Sequence, residues 1–352
     1  MATMRAVVLK SPYQIEVEDV PAPTELSQGE IMLQVEMTAI CGTDIAPYAG
    51  KLELEDDLRL GHEFLGTVTD VGPGVNLVEA GDRVVVSCVV NCGHCYTCRR
   101  GQPGKCMGVM IFGMGLTFGD LDGGQAEYVV VPNADLVCRK VPDGGAGTDE
   151  DFLFVGDIMA TGYESVRVAM EPGDTVAIVG AGPVGLCAAM SAQALGASQV
   201  VIIDKVPARL KEAEAYGAVT VNPDETDPID VVLDLTEWRG ADVVVDAAGH
   251  PSALAIAMRL PRAGGALAVP AVYVDETLEL PWGELWIKGI RLIGGGACNI
   301  PKYMDETLAL ISAGKLNPSR IISHRMPMSQ AAEAYRMFHE REATKIVLDP
   351  TR

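Results

Sequence analysis

The chain has 352 residues, of which 48% are hydrophobic and 21% charged, with a formal net charge of −21. That length is too great for one ordinary core and favours two domains, and the composition excludes wholesale disorder. An acidic surface of this strength repels DNA, RNA and anionic membrane, which excludes them as expected partners.

In chain order, the start (Met1-Ala2-Thr3-Met4-Arg5) runs into the strand-like Ala6-Val7-Val8-Leu9 with no signal-peptide pattern, and no apolar run has membrane-spanning length. A soluble, cytoplasmic protein is expected. Short apolar runs at 31–37, 66–71, 83–90 and 126–131 are punctuated by Gly72-Pro73-Gly74, Gly81-Asp82 and Asp122-Gly123-Gly124. Residues 1–150 therefore read as an irregular β-barrel or sandwich. After about residue 157 the pattern changes. A turn at 171–174 precedes a strand at 175–179, a glycine-rich loop at 180–185 and an apolar helix to 195. A strand at 200–204, a helix at 208–216 and strands at 242–247 and 266–270 follow, and this alternation implies a doubly wound parallel sheet, an α/β fold. The Asp- and Pro-rich stretch 220–234 is expected to contain a surface loop, and 282–296 reads as a turn, a strand at 290–293 and a glycine run.

Gly180-Ala181-Gly182-Pro183-Val184-Gly185 fits G-x-G-x-x-G between a strand and a helix, the context in which that pattern binds a dinucleotide. Gly180 permits the tight turn, Gly182 lets backbone approach a pyrophosphate, and Gly185 lets helix and strand pack closely; the helix start attracts the diphosphate. Asp204, about 20 residues on, can accept both adenosine ribose hydroxyls and repels a 2′-phosphate. NAD is expected over NADP, although Lys205 and Arg209 offer cations that can meet a phosphate. Thr161 and Ala248 complete the expected cofactor-binding set.

Of the nine cysteines, Cys92, Cys95, Cys98 and Cys106 crowd into one loop. Spacing this tight lets four thiolates wrap one ion in a tetrahedron, and four protein ligands leave no open position, so the expectation is a structural zinc. Disulfides and an iron–sulfur cluster are the alternatives; neighbouring pairs at this spacing are strained and the expected compartment is reducing.

Three short motifs remain: Cys41-Gly42-Thr43-Asp44, Gly61-His62-Glu63-Phe64-Leu65-Gly66 and Gly156-Asp157-Ile158-Met159-Ala160-Thr161-Gly162-Tyr163. Each is ordinary alone. In this order, ahead of a dinucleotide unit and with the cysteine lobe, they resemble the medium-chain zinc-dependent alcohol dehydrogenases, and the resemblance runs through almost the whole chain.

The resemblance implies a GroES-like β-barrel catalytic domain at 1–156 with the structural-zinc lobe at 91–107. It also implies a Rossmann NAD-binding domain at 157–292 and a return to the catalytic domain at 293–352. It assigns Cys41, His62 and Asp157 to a catalytic zinc, making two zinc ions per chain. Asp157 stands where many members carry a second cysteine and some bacterial ones an aspartate. Glu63 is implied as an exchangeable ligand or a group just behind the ligands. Zinc as a Lewis acid lowers the pKa of an alcohol, Thr43 relays its proton, and a hydride passes to NAD. Many members end the relay on a histidine three residues after Thr43; here that position is Ala46, so the relay ends at solvent or at a group such as Tyr48.

Polyol- and threonine-type members typically carry Glu-Pro or Asp-Pro near the third motif. Asp157-Ile158 and Gly124-Gln125-Ala126-Glu127-Tyr128 look more like simple alcohol dehydrogenases and the glutathione-independent formaldehyde dehydrogenase branch, whose members are usually longer. The expected substrate is a primary or secondary alcohol and its aldehyde or ketone, with Ser87, Cys88, Ile111 and Phe112 as candidate pocket lining. The strand at 290–293 implies a homodimer or homotetramer. Two other readings are a zinc-free reductase of the same fold, which lacks the ligand triplet and the lobe, and a non-catalytic nucleotide-binding relative, which need not keep Cys41, Thr43, His62 and Asp157 together.

Overall fold

The computed structural model describes residues 2–52, 57–273 and 277–352. It divides into two compact units, Met1–Ala160 with Asn299–Arg352, and Thr161–Cys298. The expected boundaries at 156/157 and 292/293 thus lie a few residues off. At the first, the helix Ile158–Arg167 runs through the boundary. At the second, Arg291–Gly294 is still paired in the sheet of the second unit.

In the first unit the strand Ile31–Ala39 buries Ile31, Leu33 and Val35 while Gln34 faces out, the period-two pattern of a sheet with one dry face. It pairs antiparallel with Glu63–Val71, and across that ladder Ala39 stands opposite Glu63. Arg83–Val86 and Cys138–Lys140 extend the sheet on one side, Ile346–Asp349 and His324–Pro327 on the other, and Tyr128–Val131 also pairs with Ile31–Ala39. Val84, Val86, Phe64, Phe112 and Val129 fill the core beneath, with Phe64 and Phe112 edge to face at 5.0 Å. The late strand Ile346–Asp349 lies antiparallel on Thr38 and Ala39, which carries the last residues of the chain to the mouth of the His62–Glu63 strand.

The second unit holds a six-stranded sheet whose chain order is 3-2-1-4-5-6, from Val219–Val221 through Gln199–Ile203, Thr175–Val179, Ala241–Asp246 and Pro261–Val269 to Arg291–Gly294. All five pairings are parallel. Every residue of Thr175–Val179 is buried, as a central strand covered on both faces requires. The expected doubly wound α/β sheet is therefore present.

Three local expectations change. The apolar run 83–90 is two strands, Arg83–Val86 and Val89–Val90, because the Ser87 hydroxyl bonds Val89 and bends the chain between them. The stretch 220–234 is loop only at its centre. Val221 joins the sheet, and Asp227 with Pro228 starts the helix Pro228–Leu235, with the carboxylate accepting the Ile229 N–H. Residues 282–288 form a helix, not a turn, ending at the left-handed Gly289. Among the described residues no helix is long and apolar enough to cross a membrane.

Candidate functional site

The first unit gathers Cys41, His62, Glu63 and Asp157 from three separate segments, with one donor atom of each within 4.8 Å of the others. Cys41 leaves the strand Ile31–Ala39 and precedes the tight turn Gly42–Asp44. Asp44, fully buried, closes that turn by accepting the Cys41 N–H on Oδ2 at 2.9 Å. Its Oδ1 lies 3.1 Å from His62 Nδ1, without linear hydrogen-bond geometry. The other ring nitrogen, Nε2, faces Asp157 Oδ2 at 3.4 Å, and Cys41 Sγ lies 3.3 Å from the same oxygen. Asp157 follows the turn Phe154–Gly156, where a Cβ on Gly156 would collide with the Val86 carbonyl oxygen, so only glycine lets this segment dock.

These spacings test the fit of zinc. Ligand bonds of 2.0–2.3 Å in a tetrahedron separate neighbouring donors by roughly 3.3–3.8 Å, and 3.3 and 3.4 Å fall in that range. Thiolate, imidazole and carboxylate neutralise a dication with one position to spare.

Burial and mutual charge perturb the ionisable groups of the cluster. Burial, then the charges of Asp157 and Glu63, push the Cys41 thiol up to about 11. For His62, burial works downward but the charges of Asp44 and Cys41 prevail and hold it well above its ordinary value. Burial would raise Asp157, yet the hydrogen bond and charge of His62 keep it below the usual carboxylate range. The group retains protons that a bound dication would displace.

Glu63 has a partner that the sequence reading missed. Lys345 Nζ lies 2.7 Å from Oε1 and 2.6 Å from Oε2 of Glu63 and donates to the Ile40 carbonyl at 2.9 Å, with both side chains fully buried. Burial lifts Glu63 to about 7, against the pull of Lys345. The signal was a lysine directly before the apolar strand Ile346–Asp349, a position where an unpaired charge is not tolerated. Asp44 lay within a quoted motif without a role.

Thr43 Oγ1 stands 3.8 Å from Cys41 Sγ and is half-buried, at the rim of the cluster. Tyr48 packs in an aromatic group with Tyr13, Tyr335 and His339. Of the candidate lining residues, Ser87 bonds Val89 and Phe112 packs in the core. Ile111 is half-buried opposite Val89. Cys88 is buried beside Asp157.

The lobe brings Cys92, Cys95, Cys98 and Cys106 together with their sulfurs within 4.8 Å of one another. Cys95 Sγ and Cys106 Sγ are 3.9 Å apart, near the edge of about 3.8 Å that a ZnS4 tetrahedron imposes. All nine cysteines are free, against the disulfide alternative, and four sulfurs this close could hold one ion where a cluster would spread them. The Thr97 hydroxyl and backbone N–H groups bring Cys95 down to about 5, so that thiol is ready to ligate at neutral pH.

In the second unit the three glycines differ. Gly180 has φ +103°, and a Cβ on Gly185 would collide with the Gly180 carbonyl oxygen. A Cβ on Gly182 would meet no protein atom within 4 Å, so the fold itself does not demand glycine there, and the open space leaves room for a ligand's close approach. Pro183 and Val184 open the helix Pro183–Ala194, which has no side-chain cap. Asp204 accepts the Ala181 N–H on Oδ2 at 2.7 Å and the Val206 N–H on Oδ1 at 2.8 Å, tying the glycine loop to the next strand. Lys205 is paired with Asp224 at 2.7 Å, while Arg209 is half-buried. Ala248 backs onto Gly180, and Thr161 is buried in the helix Ile158–Arg167. These residues fit a dinucleotide.

Residues 27–143 match the family model described as alcohol dehydrogenase GroES-like domain, and residues 183–313 the one described as zinc-binding dehydrogenase. The chain is 33% identical to zinc-type alcohol dehydrogenase B of Aspergillus flavus over 98% of its own length and 81% of that protein. It is 31% identical to a glutathione-independent formaldehyde dehydrogenase of Pseudomonas aeruginosa, covering 99% and 98%. An L-threonine 3-dehydrogenase of Bacillus subtilis is 32% identical, covering 94% of each chain. Among solved structures, the alcohol dehydrogenase TADH from Thermus sp. ATN1 superposes with a TM-score of 0.94 at 36% identity, covering 98% of this chain and 99% of that one. A zinc-binding dehydrogenase from Sinorhizobium meliloti 1021, solved bound to NADP, superposes with a TM-score of 0.88 at 27% identity, covering 99% and 100%.

Proposed function

The chain belongs to the medium-chain zinc-dependent alcohol dehydrogenase family, and on that premise we propose that it oxidises a primary or secondary alcohol with NAD, or runs the reverse, at a zinc centre held by Cys41, His62 and Asp157. The observation that carries this reading is the convergence of Cys41 Sγ and His62 Nε2 on one oxygen of Asp157, at 3.3 and 3.4 Å. Zinc there supplies the Lewis acid that lowers the pKa of the alcohol, and NAD the hydride acceptor. Asp44 aims the imidazole, and Thr43, at the rim, takes the alcohol proton. Lys345 offsets the charge of Glu63, whose carboxylate stands within reach of the other donors as an exchangeable ligand, so that Cys41, His62 and Asp157 leave a place for substrate. A second zinc belongs to the lobe.

Relatives with formaldehyde and threonine in their names are almost equally identical, so identity does not select the substrate. The third motif lacks the Glu-Pro of polyol- and threonine-type members, which favours a simple alcohol. A neighbour of the same fold was solved with NADP, so the fold does not select the cofactor either. Asp204 favours NAD, because its carboxylate stands at the end of the second strand and repels a 2′-phosphate, and Lys205 is already paired. A panel of primary and secondary alcohols, polyols and threonine with NAD and with NADP, read at 340 nm, tests both points. Strong preference for NADP would remove the role given to Asp204, and turnover of threonine alone would displace the simple-alcohol reading.

The strand Arg291–Gly294 is the edge of its sheet, and the adjoining helix Trp282–Lys288 leaves Trp282, Trp286 and Ile287 64–74% exposed. An open edge beside a large apolar face supports a homodimer through this strand, itself able to pair into a tetramer. Sedimentation as a monomer at micromolar concentration would contradict it. Nine free thiols suit the reducing cytoplasm.

A further inference from the structure

We propose that Cys88 is a positioning residue that holds Asp157 to one-oxygen coordination and so keeps the fourth zinc position open. The proposal rests on the zinc reading above. A carboxylate can offer a metal one oxygen or two. With Cys41 and His62 already in place, a two-oxygen Asp157 would fill all four positions of a tetrahedron and shut out the alcohol.

The geometry divides the two oxygens. Oδ2 is the one shared by Cys41 Sγ and His62 Nε2, at 3.3 and 3.4 Å. Oδ1 faces the Cys88 thiol, which lies 3.5 Å away in a position to donate to it. The same residue grips this segment a second time: the Cys88 N–H donates to the Gly156 carbonyl at 2.8 Å, and Gly156 is the residue whose lack of a side chain lets the turn dock on Val86. Main chain and side chain of Cys88 thus act together on residues 156 and 157. Cys88 itself is fixed, between the strands Arg83–Val86 and Val89–Val90, by the Ser87 hydroxyl and by its own carbonyl accepting the Phe112 N–H at 3.4 Å. No titration is required of the thiol; it acts as a donor turned toward the oxygen that the metal does not use.

The test compares Cys88→Ser, which keeps a donor, with Cys88→Ala, which removes it, in the full-length enzyme loaded first with zinc and then with cobalt. Zinc release to a chelator and the visible cobalt spectrum are read, with thermal unfolding to register the fold. The expected result is that zinc release from Cys88→Ala changes by about tenfold, and that its cobalt bands shift as Asp157 takes the position otherwise open. Cys88→Ser should stay near wild type in both. Cys88→Ala with wild-type release and an unchanged spectrum would overturn the proposal. So would loss of one thiolate-to-cobalt charge-transfer band in both variants, because Cys88 would then be a ligand. Wild-type protein taking up metal only in the lobe would overturn the zinc reading and this proposal with it, an outcome distinct from a silent Cys88→Ala.

Discussion

The two cysteine-bearing clusters of candidate metal ligands in the first unit are built on opposite plans. The lobe draws four ligands from the fifteen-residue stretch 92–106, uses only sulfur and sits partly exposed. The other centre draws its donors from residues as far apart as Cys41 and Asp157, mixes sulfur, nitrogen and oxygen, and is buried apart from partial exposure at Asp157. Within the lobe the thiols differ, polar donors bringing Cys95 down to about 5 and burial pushing Cys98 up to about 11, and burial likewise pushes Cys41 up to about 11. A closed set of four sulfur ligands suits a permanent ion that braces a loop. An incomplete set of mixed ligands, held by Asp44, Lys345 and Cys88 from behind, suits an ion that must still accept a substrate.

The sharpest way to break this contrast is by mutation of each centre. His62→Ala or Asp157→Ala should lower kcat/KM by about 10³-fold or more, since several kcal/mol of Lewis-acid stabilisation are lost. Cys95→Ser should instead lower stability, leaving kcat/KM per folded molecule within a few-fold. Steady-state kinetics beside thermal unfolding separate the two, and Asp157→Ala with full activity would take that residue out of the centre. Next in size, Lys345→Met strands a buried carboxylate and should cost roughly 3–5 kcal/mol in urea unfolding. Adding Glu63→Gln to it should recover most of that loss, because no charge is then left unpaired.

The pH dependence of metal binding sharpens the comparison further. Cys41, with its raised thiol pKa, is protonated through the neutral range, so zinc must displace that proton. Affinity at the buried centre should therefore rise by about tenfold or more per pH unit between pH 6 and 8. Cys95 of the lobe is already a thiolate there but Cys98, pushed up to about 11 by burial, is not, so affinity at the lobe should also rise with pH, as competition with a chelator of known affinity would reveal. The smallest effect is at the cofactor loop. Asp204→Ala removes a ribose acceptor and the tie to Ala181, and should raise the KM for NAD about tenfold, from loss of charge-assisted hydrogen bonds of some 1.5 kcal/mol.

The same contrast explains what could be read from the chain. The lobe was readable from spacing alone because its ligands are local, and the parallel sheet from the alternation of strands with helices. Cys41, His62 and Asp157 came only through the resemblance, because no local pattern links residues over a hundred positions apart. Lys345 escaped because its partner Glu63 is 282 residues away and only the late strand Ile346–Asp349, folding back on Thr38 and Ala39, brings them together. Cys88 was noted for the pocket, but its contact with Asp157 depends on the Gly156 turn, which sequence spacing does not show. The helix Trp282–Lys288 was missed because it is a short element with three large apolar residues on its exposed side, a pattern that burial does not create.

The most direct test of two centres with separate duties is to follow zinc content, activity and thermal unfolding together as a chelator strips the protein. Two zinc per chain are expected at the outset. The first to leave, from the open centre of Cys41, His62 and Asp157, takes the activity with it and leaves the fold in place; the second leaves with a fall in unfolding temperature. Full activity after the first zinc has gone would contradict it.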